Sequence, residues 1–317
     1  MINKIVQYTI FKTTYFKNCV FEFLKYHFNK SKGIILIEGH GDSINFGDAL
    51  NYPFVEYLSR NKVILSKYLP KEIVKSNKTY SVIGSIIQMS HDDCIIWGAG
   101  FISNQNIRVP QPQKIWAVRG PLSRKVFLEN NIECPEVYGD PALLMPFIYN
   151  PSIEKKYDIG FFPHYVDKKS EFIKYYENNG KTFLIDVEIG QDYKGIINQM
   201  LSCKCIVTSS LHGLILSHSY NIPVLWVKYS DKITGGRFKY DDYLLSVNKQ
   251  NINPLFINKH FEINEYIKLM DIEKIGFNYR SLIEACPFIS GFSKNEVLAA
   301  IDKNERYTMV KDCIKWI

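Results

Sequence analysis

One run of residues holds most of the groups that chemistry needs: Cys205-Ile-Val-Thr-Ser-Ser-Leu-His-Gly-Leu-Ile215. A short β-branched stretch ends at three hydroxyls, Thr208, Ser209 and Ser210, and His212 opens the next segment. If the stretch is a buried strand and the rest a helix, the N–H groups around His212 and Gly213 point outward at a helix start, where the macrodipole favours an anion. That arrangement predicts an anionic ligand with His212 beside it as the proton carrier, because imidazole titrates nearest neutrality. A Ser-Ser pair before a helix also serves as an N-cap, so the rest of the chain has to decide.

The elements that would position this run repeat one grammar. Ile34 to Ile37 reads as a buried strand, followed by a turn from Gly39 to Gly47 and a helix from Asp48 to about Leu58. Cys94 to Trp97 and Lys114 to Val118 repeat the theme, the second leading into Arg119-Gly-Pro121, where Pro121 starts a helix running to Asn130. The pattern restarts at Tyr157 to Phe162 and continues through Phe183 to Ile185, a helix from Lys194 to Leu201, the Cys205 strand and Pro223 to Val227. Strand, polar turn, helix is the signature of a parallel sheet covered on both faces. The expected fold is therefore α/β, with two doubly wound, Rossmann-like domains facing across a cleft in a GT-B-like arrangement. Residues 1–150 and 151–317 are the expected domains, with a break near Pro151 and a tail from 261 that packs back.

In such sheets ligands bind beyond the carboxyl ends of the strands. That rule selects Asn45 and Asp48 after the first strand, Arg119 after the third, Asp140 in Tyr138-Gly-Asp-Pro141 and His164 after Tyr157 to Phe162. Asp48 and Asp140 are also natural helix caps.

Composition narrows the partners. The 317 residues are 46% hydrophobic and 22% charged, which is that of a soluble globular protein, with 21 Tyr and 20 Phe. A net charge of +7 suits an anionic small molecule or a phospholipid surface, yet the Lys and Arg residues form no dense stripe, which argues against nucleic acid. The seven cysteines form no CxxC pair and suggest buried thiols, with no metal site. Residues 1–32 interleave lysines with aromatics, and Phe16, Val20, Phe23, Leu24 and Phe28 fall near helical spacing. The segment reads as a helix packed on the first domain, and its composition also fits a membrane surface. It has neither a continuous span nor a secretory cleavage pattern, so the expected location is the cytoplasm.

Asn45-Phe-Gly-Asp48, Trp97-Gly-Ala-Gly100, Val118-Arg-Gly-Pro-Leu-Ser123, Tyr138-Gly-Asp-Pro-Ala-Leu-Leu144, Pro163-His-Tyr-Val-Asp167 and Ser209-Ser-Leu-His-Gly-Leu-Ile215 stand in that order along the chain. In that order they resemble the polysaccharide pyruvyl transferase family. The resemblance implies transfer of the enolpyruvyl unit of phosphoenolpyruvate to two hydroxyls of one sugar, giving a cyclic ketal and phosphate. It implies no cofactor beyond phosphoenolpyruvate as co-substrate, and a sugar acceptor carried on a lipid-linked precursor at the inner membrane face.

Set against that reaction, Arg119 is the expected clamp on carboxylate or phosphate. Ser209, Ser210 and the helix start would hold the other anionic end, and Asn45 and His164 would line the site. His212 is the expected general acid and Asp48 the general base or hydroxyl-orienting group. The resemblance also implies an acceptor side in 1–150 and a phosphoenolpyruvate side in 151–317. Many members of that family carry Arg-Leu-His where this chain has Ser210-Leu-His212, so either the clamp is weaker or another cation substitutes for it. Lys228 and Arg237 flank a Gly235-Gly236 loop that can fold over the ligand. A nucleotide-sugar glycosyltransferase of the same architecture and a non-catalytic glycan-binding subunit remain the alternatives.

Overall fold

The computed structural model describes residues 2–40, 45–177, 179–188 and 190–311. Residues 41–44 of the expected first turn, Cys313 and the end of the tail lie outside the described residues.

Ten strands form two parallel sheets. The first contains β1 (Ile34–Ile37), β2 (Lys62–Leu65), β3 (Thr79–Ser81), β4 (Ile95–Trp97) and β5 (Lys114–Ala117), in the spatial order β2-β1-β3-β4-β5. The second contains β6 (Tyr157–Phe162), β7 (Thr182–Leu184), β8 (Cys203–Thr208), β9 (Val224–Lys228) and β10 (Leu255–Phe256), in the order β10-β9-β8-β6-β7. Helices flank both sheets, so the chain has an α/β fold in two domains. Covered on both faces, β1 and β8 carry nearly continuous apolar runs instead of alternation. The register Phe161↔Val207 and Phe162↔Thr208 brings the ends of β6 and β8 together, and with them His164 and the Thr208-Ser209-Ser210 turn.

The two halves share one core. Phe46, Phe54 and Trp97 of the first half pack in the same contiguous cluster as Phe162, Ile215, Leu282 and Val297 of the second. Polar contacts cross as well: Phe46 N donates to Val187 O at 2.8 Å and the Trp97 indole N–H donates to Leu282 O at 2.9 Å. The final helix, Gly291–Lys311, reaches back to the first half, where Ser290 N donates to Leu58 O and Ser293 Oγ to Tyr57 O, each at 2.9 Å.

The N-terminal segment is a helix, Ile2–Asn29, seated on the first half, but its apolar stripe does not face the protein. Glu22 and Tyr26 are buried, whereas Phe16, Val20, Phe23, Leu24 and Phe28 are exposed. The helix is anchored by hydrogen bonds, with Tyr52 OH donating to Glu22 Oε1 at 2.5 Å and Leu65 N to Glu22 Oε2 at 3.2 Å. No described helix is long and apolar enough to cross a membrane.

Candidate functional site

The site is assembled from strand ends, as the crevice rule requires. β8 ends at Thr208, whose hydroxyl donates to Phe162 O at 2.6 Å and accepts from Ser210 N at 3.0 Å, fixing a sharp turn. Ser210 then caps the helix Leu211–Ser219, its side chain accepting from Gly213 N. Ser209 is committed to the scaffold. Its hydroxyl accepts from His164 N at 3.0 Å and donates to Asp167 at 2.7 Å, while Ser230 holds the other Asp167 oxygen at 2.9 Å. Both serines expected to grip a ligand thus hold the turn that presents His212 and His164.

His212 meets the other half of the molecule at Gly47. A Cβ on Gly47 would lie 2.1 Å from His212 Nδ1, so glycine there lets the imidazole lie directly on the short helix Phe46–Ala49. Its Nε2 is shielded from solvent and has no hydrogen-bond partner among the described residues. Burial, together with Lys239, Arg119 and His164, pushes the ring down to about 3, so it stands neutral. His164 is likewise pushed down to about 4 by burial and by Lys239.

Asp48 lies on the same Phe46–Ala49 helix. Asn45 donates to its Oδ2 at 3.0 Å, and burial raises its pKa against the pull of Asn45, His40 and Lys239. Asn51, at the start of the next helix, pins Asp48 to the segment after β3: its Nδ2 donates to Asp48 O at 3.1 Å, and it exchanges two hydrogen bonds of 2.9 Å with Ile83. Asp48 thus follows Gly47, the residue on which His212 lies, and shares with His212 and His164 the field of Lys239.

Arg119 occupies a different role from the expected clamp. It is completely buried, its Nε donates to Asp242 Oδ2 at 3.0 Å, and its terminal nitrogens reach Ser85 Oγ and Phe101 O, both at 2.6 Å. Asp242 also accepts from Ser123 N at 2.8 Å and Ser123 Oγ at 2.6 Å. The guanidinium faces this carboxylate and acts on the site through its field, as one of the cations that hold His212 neutral. Asp140 is close enough to feel both charges. It caps Pro141–Phe147 through Ala142 N, its Oδ2 is buried without a partner among the described residues, and burial pushes its carboxyl up to about 6.

The two cations expected to replace the missing arginine are engaged elsewhere. Lys228 pairs with Asp231 at 2.5 Å, and Arg237 binds Asp241, Asn253 and the carbonyl of Ile252. The loop between them does reach the first half, since a Cβ on Gly235 would lie 2.3 Å from Ile102 O.

The cation that faces the histidines is Lys239, which sequence reasoning missed. It is buried on the helix Phe238–Ser246, and burial plus Arg119 push its ammonium down to about 8. The described residues offer it no ion pair or hydrogen-bond acceptor, only the Tyr240 ring 5.5 Å from its Nζ. Its charge acts on Asp48, His164 and His212 alike. The fold thus groups at the strand ends a lysine without an ion pair among the described residues, two neutral imidazoles and a helix start, with Asp48 in the field of the same lysine. Among the described residues no group of His, Cys, Asp and Glu could hold a metal ion.

Comparison with known proteins bears on the same residues. A family model described as polysaccharide pyruvyl transferase matches residues 11–231. The chain is also similar to uncharacterized protein L143 of Acanthamoeba polyphaga mimivirus, at 33% identity over 208 residues, or 63% of this chain and 70% of that protein. The family match spans Asp48, Arg119, His164 and His212, whereas Lys239 and Asp242 lie beyond it.

Proposed function

We propose, since this chain belongs to the polysaccharide pyruvyl transferase family, that it transfers the enolpyruvyl group of phosphoenolpyruvate to two hydroxyls of one sugar in a polysaccharide precursor. The observation that carries this reading is a neutral His212 at a helix start, whose Nε2 has no partner among the described residues and which lies in the field of Lys239.

The donor is a small, densely charged anion, and Lys239 with the helix start supplies attraction inside a poorly solvated pocket where it is strong. Once a phosphate lies against Lys239, the local field changes sign. The phosphate offsets the cations and offers the imidazolium a charge partner against the burial that is the larger cause of its low pKa, and the ring gains a proton it can deliver.

Addition proceeds with one sugar oxygen bonding to the central carbon of the donor while the methylene carbon takes a proton, from His212 in this reading. Asp48, oriented by Asn45, takes the proton of the attacking hydroxyl. The second hydroxyl then displaces phosphate from the same carbon, closing the ketal, and its proton leaves with the phosphate. Atoms and charge balance with phosphoenolpyruvate as the only co-substrate and no further cofactor. The acceptor we propose is a lipid-linked saccharide met on the cytoplasmic side of a membrane, as for cell-surface or capsule polymers.

Thermal stabilisation tests the donor first, because a ligand that binds only the folded state raises the melting temperature. Phosphoenolpyruvate should raise it, and Lys239→Met should abolish that shift. A shift with a panel of nucleotide sugars and none with phosphoenolpyruvate would replace this reading by a glycosyltransferase. Binding of glycan with no phosphate released from phosphoenolpyruvate, across a panel of saccharide acceptors, would make the protein a binding subunit.

A further inference from the structure

We propose that the outward face of the N-terminal helix docks the protein onto a membrane surface rich in anionic lipid. A helix on a globular protein normally buries its apolar stripe and exposes its polar one. Here most of the large apolar side chains point outward. The inward face packs Tyr26 among Leu36, Ile64 and Leu69 and is otherwise held by hydrogen bonds: Asn18 Nδ2 donates to Tyr68 OH at 3.1 Å, Glu22 is held by Tyr52 and Leu65, and Tyr26 OH accepts from Asn77 Nδ2 at 3.2 Å. The outward face carries Phe16, Phe21 and Phe28 at 68%, 63% and 75% exposure, with Val20, Phe23 and Leu24 between them. The described residues do not cover this surface.

Charge identifies what does. From residue 13 to 32 the sequence has a single acid, Glu22, and it is turned inward and buried. Lys17, Lys30 and Lys32 are exposed along the same helix and its end. A helix face of aromatic and aliphatic groups bordered by lysines, with no exposed carboxylate between residues 13 and 32, matches acyl chains beneath anionic headgroups. It does not match a second copy of the same face, where lysine would meet lysine. Beside the helix lies an apolar groove of about 390 Å³, lined by Val20, Phe23, Leu24, Leu69 and Pro70, which suits a lipid chain segment. The inference stands apart from the reaction, since partition is read without turnover and can fail while the transferase reading holds.

The test is co-sedimentation of the full chain with vesicles of phosphatidylcholine containing phosphatidylglycerol, against vesicles of phosphatidylcholine alone. The expected result is strong partition to the anionic vesicles only. Phe16→Ser with Phe21→Ser and Phe28→Ser should weaken it by roughly tenfold or more, and Lys17→Gln with Lys30→Gln and Lys32→Gln by about fivefold per lysine lost. All six side chains are exposed, so both variants should melt with the parent. Protein left in the supernatant with anionic vesicles would overturn the proposal. So would equal partition of the parent and both variants, or a dimer in sedimentation velocity that the phenylalanine substitutions dissociate.

Discussion

Replacing Lys239 by Met separates what its ammonium does for a ligand from what it costs the fold. The folded protein holds this lysine down to about 8, against 10.5 for a free lysine, so burying the charge is unfavourable. The difference amounts to about 3 kcal/mol, present in full below pH 8 and mostly gone by pH 10.5, where the folded lysine is neutral and the free one half so. Lys239→Met should therefore raise the melting temperature at pH 7, gain little at pH 10.5, and lose donor binding. Denaturant titrations at the two pH values check it, and a destabilised variant at pH 7 would count against an unpaired charge. His212 makes a second prediction. Because the ligand-free ring is neutral and the bound donor favours its charged form, binding at pH 7 should take up a proton. Calorimetric titration of phosphoenolpyruvate in two buffers of different ionisation enthalpy reads that number directly, and zero uptake would remove His212 as the acid. His212, Asp48 and His164 were legible in the sequence because each follows a strand end, where the fold class dictates a ligand crevice. Lys239 was not, because one lysine in a mixed helix resembles any solvated one. The only signal was its place with Asp242 on the apolar stripe formed by Tyr240, Tyr243, Leu244 and Val247, where a charge must have a reason to be buried.

The short helix Phe46–Ala49 and the helix Leu211–Ser219 meet through one missing methyl group. Gly47→Ala places a Cβ 2.1 Å from His212 Nδ1, and the imidazole must give way. Overpacking of this kind costs about 1–3 kcal/mol, while displacing an acid by an ångström costs about 100-fold in rate. The expected variant is folded, binds donor weakly and turns over at about one hundredth of the parent rate; near-parent phosphate release would show that His212 is not held there during the reaction. Elements with long apolar runs were legible in the sequence. β1, β4, β5, β6, β7, β8 and β9 fall where the runs predict them, to within two residues. β2, β3 and β10 were missed for a physical reason. β10 has only two residues, β3, Thr79-Tyr80-Ser81, buries hydroxyl side chains where an apolar run would be expected, and β2 runs into Ser66-Lys67-Tyr68 without the glycine that closely follows β1, β4 and β5. The N-terminal helix was legible as a helix, yet its orientation was not, because spacing reveals a stripe without saying which way it points.

At the scale of the whole molecule, the continuous core makes the two sheets one folding unit. Chains above about 150 residues with two sheets commonly unfold domain by domain. Here Phe46 packs against Phe162 with ring centres 6.5 Å apart, Trp97 bonds to Leu282, and the last helix ties back to Tyr57 and Leu58. Calorimetry should show a single transition whose van't Hoff and calorimetric enthalpies agree. The Arg119–Asp242 pair gives this expectation a sharper form, since both groups are fully buried and the pair joins the end of β5 to the helix Phe238–Ser246 of the other half. Asp242→Asn leaves the guanidinium buried among neutral acceptors, which costs about 3–5 kcal/mol. Replacing both residues, Arg119→Met with Asp242→Leu, removes the charge as well as its partner and should recover most of that loss. If the halves fold as one, Asp242→Asn lowers the single transition as a whole and the double variant restores it. A split into two transitions, one unmoved, would show that the shared core does not couple the halves and that the site between them can open without unfolding either.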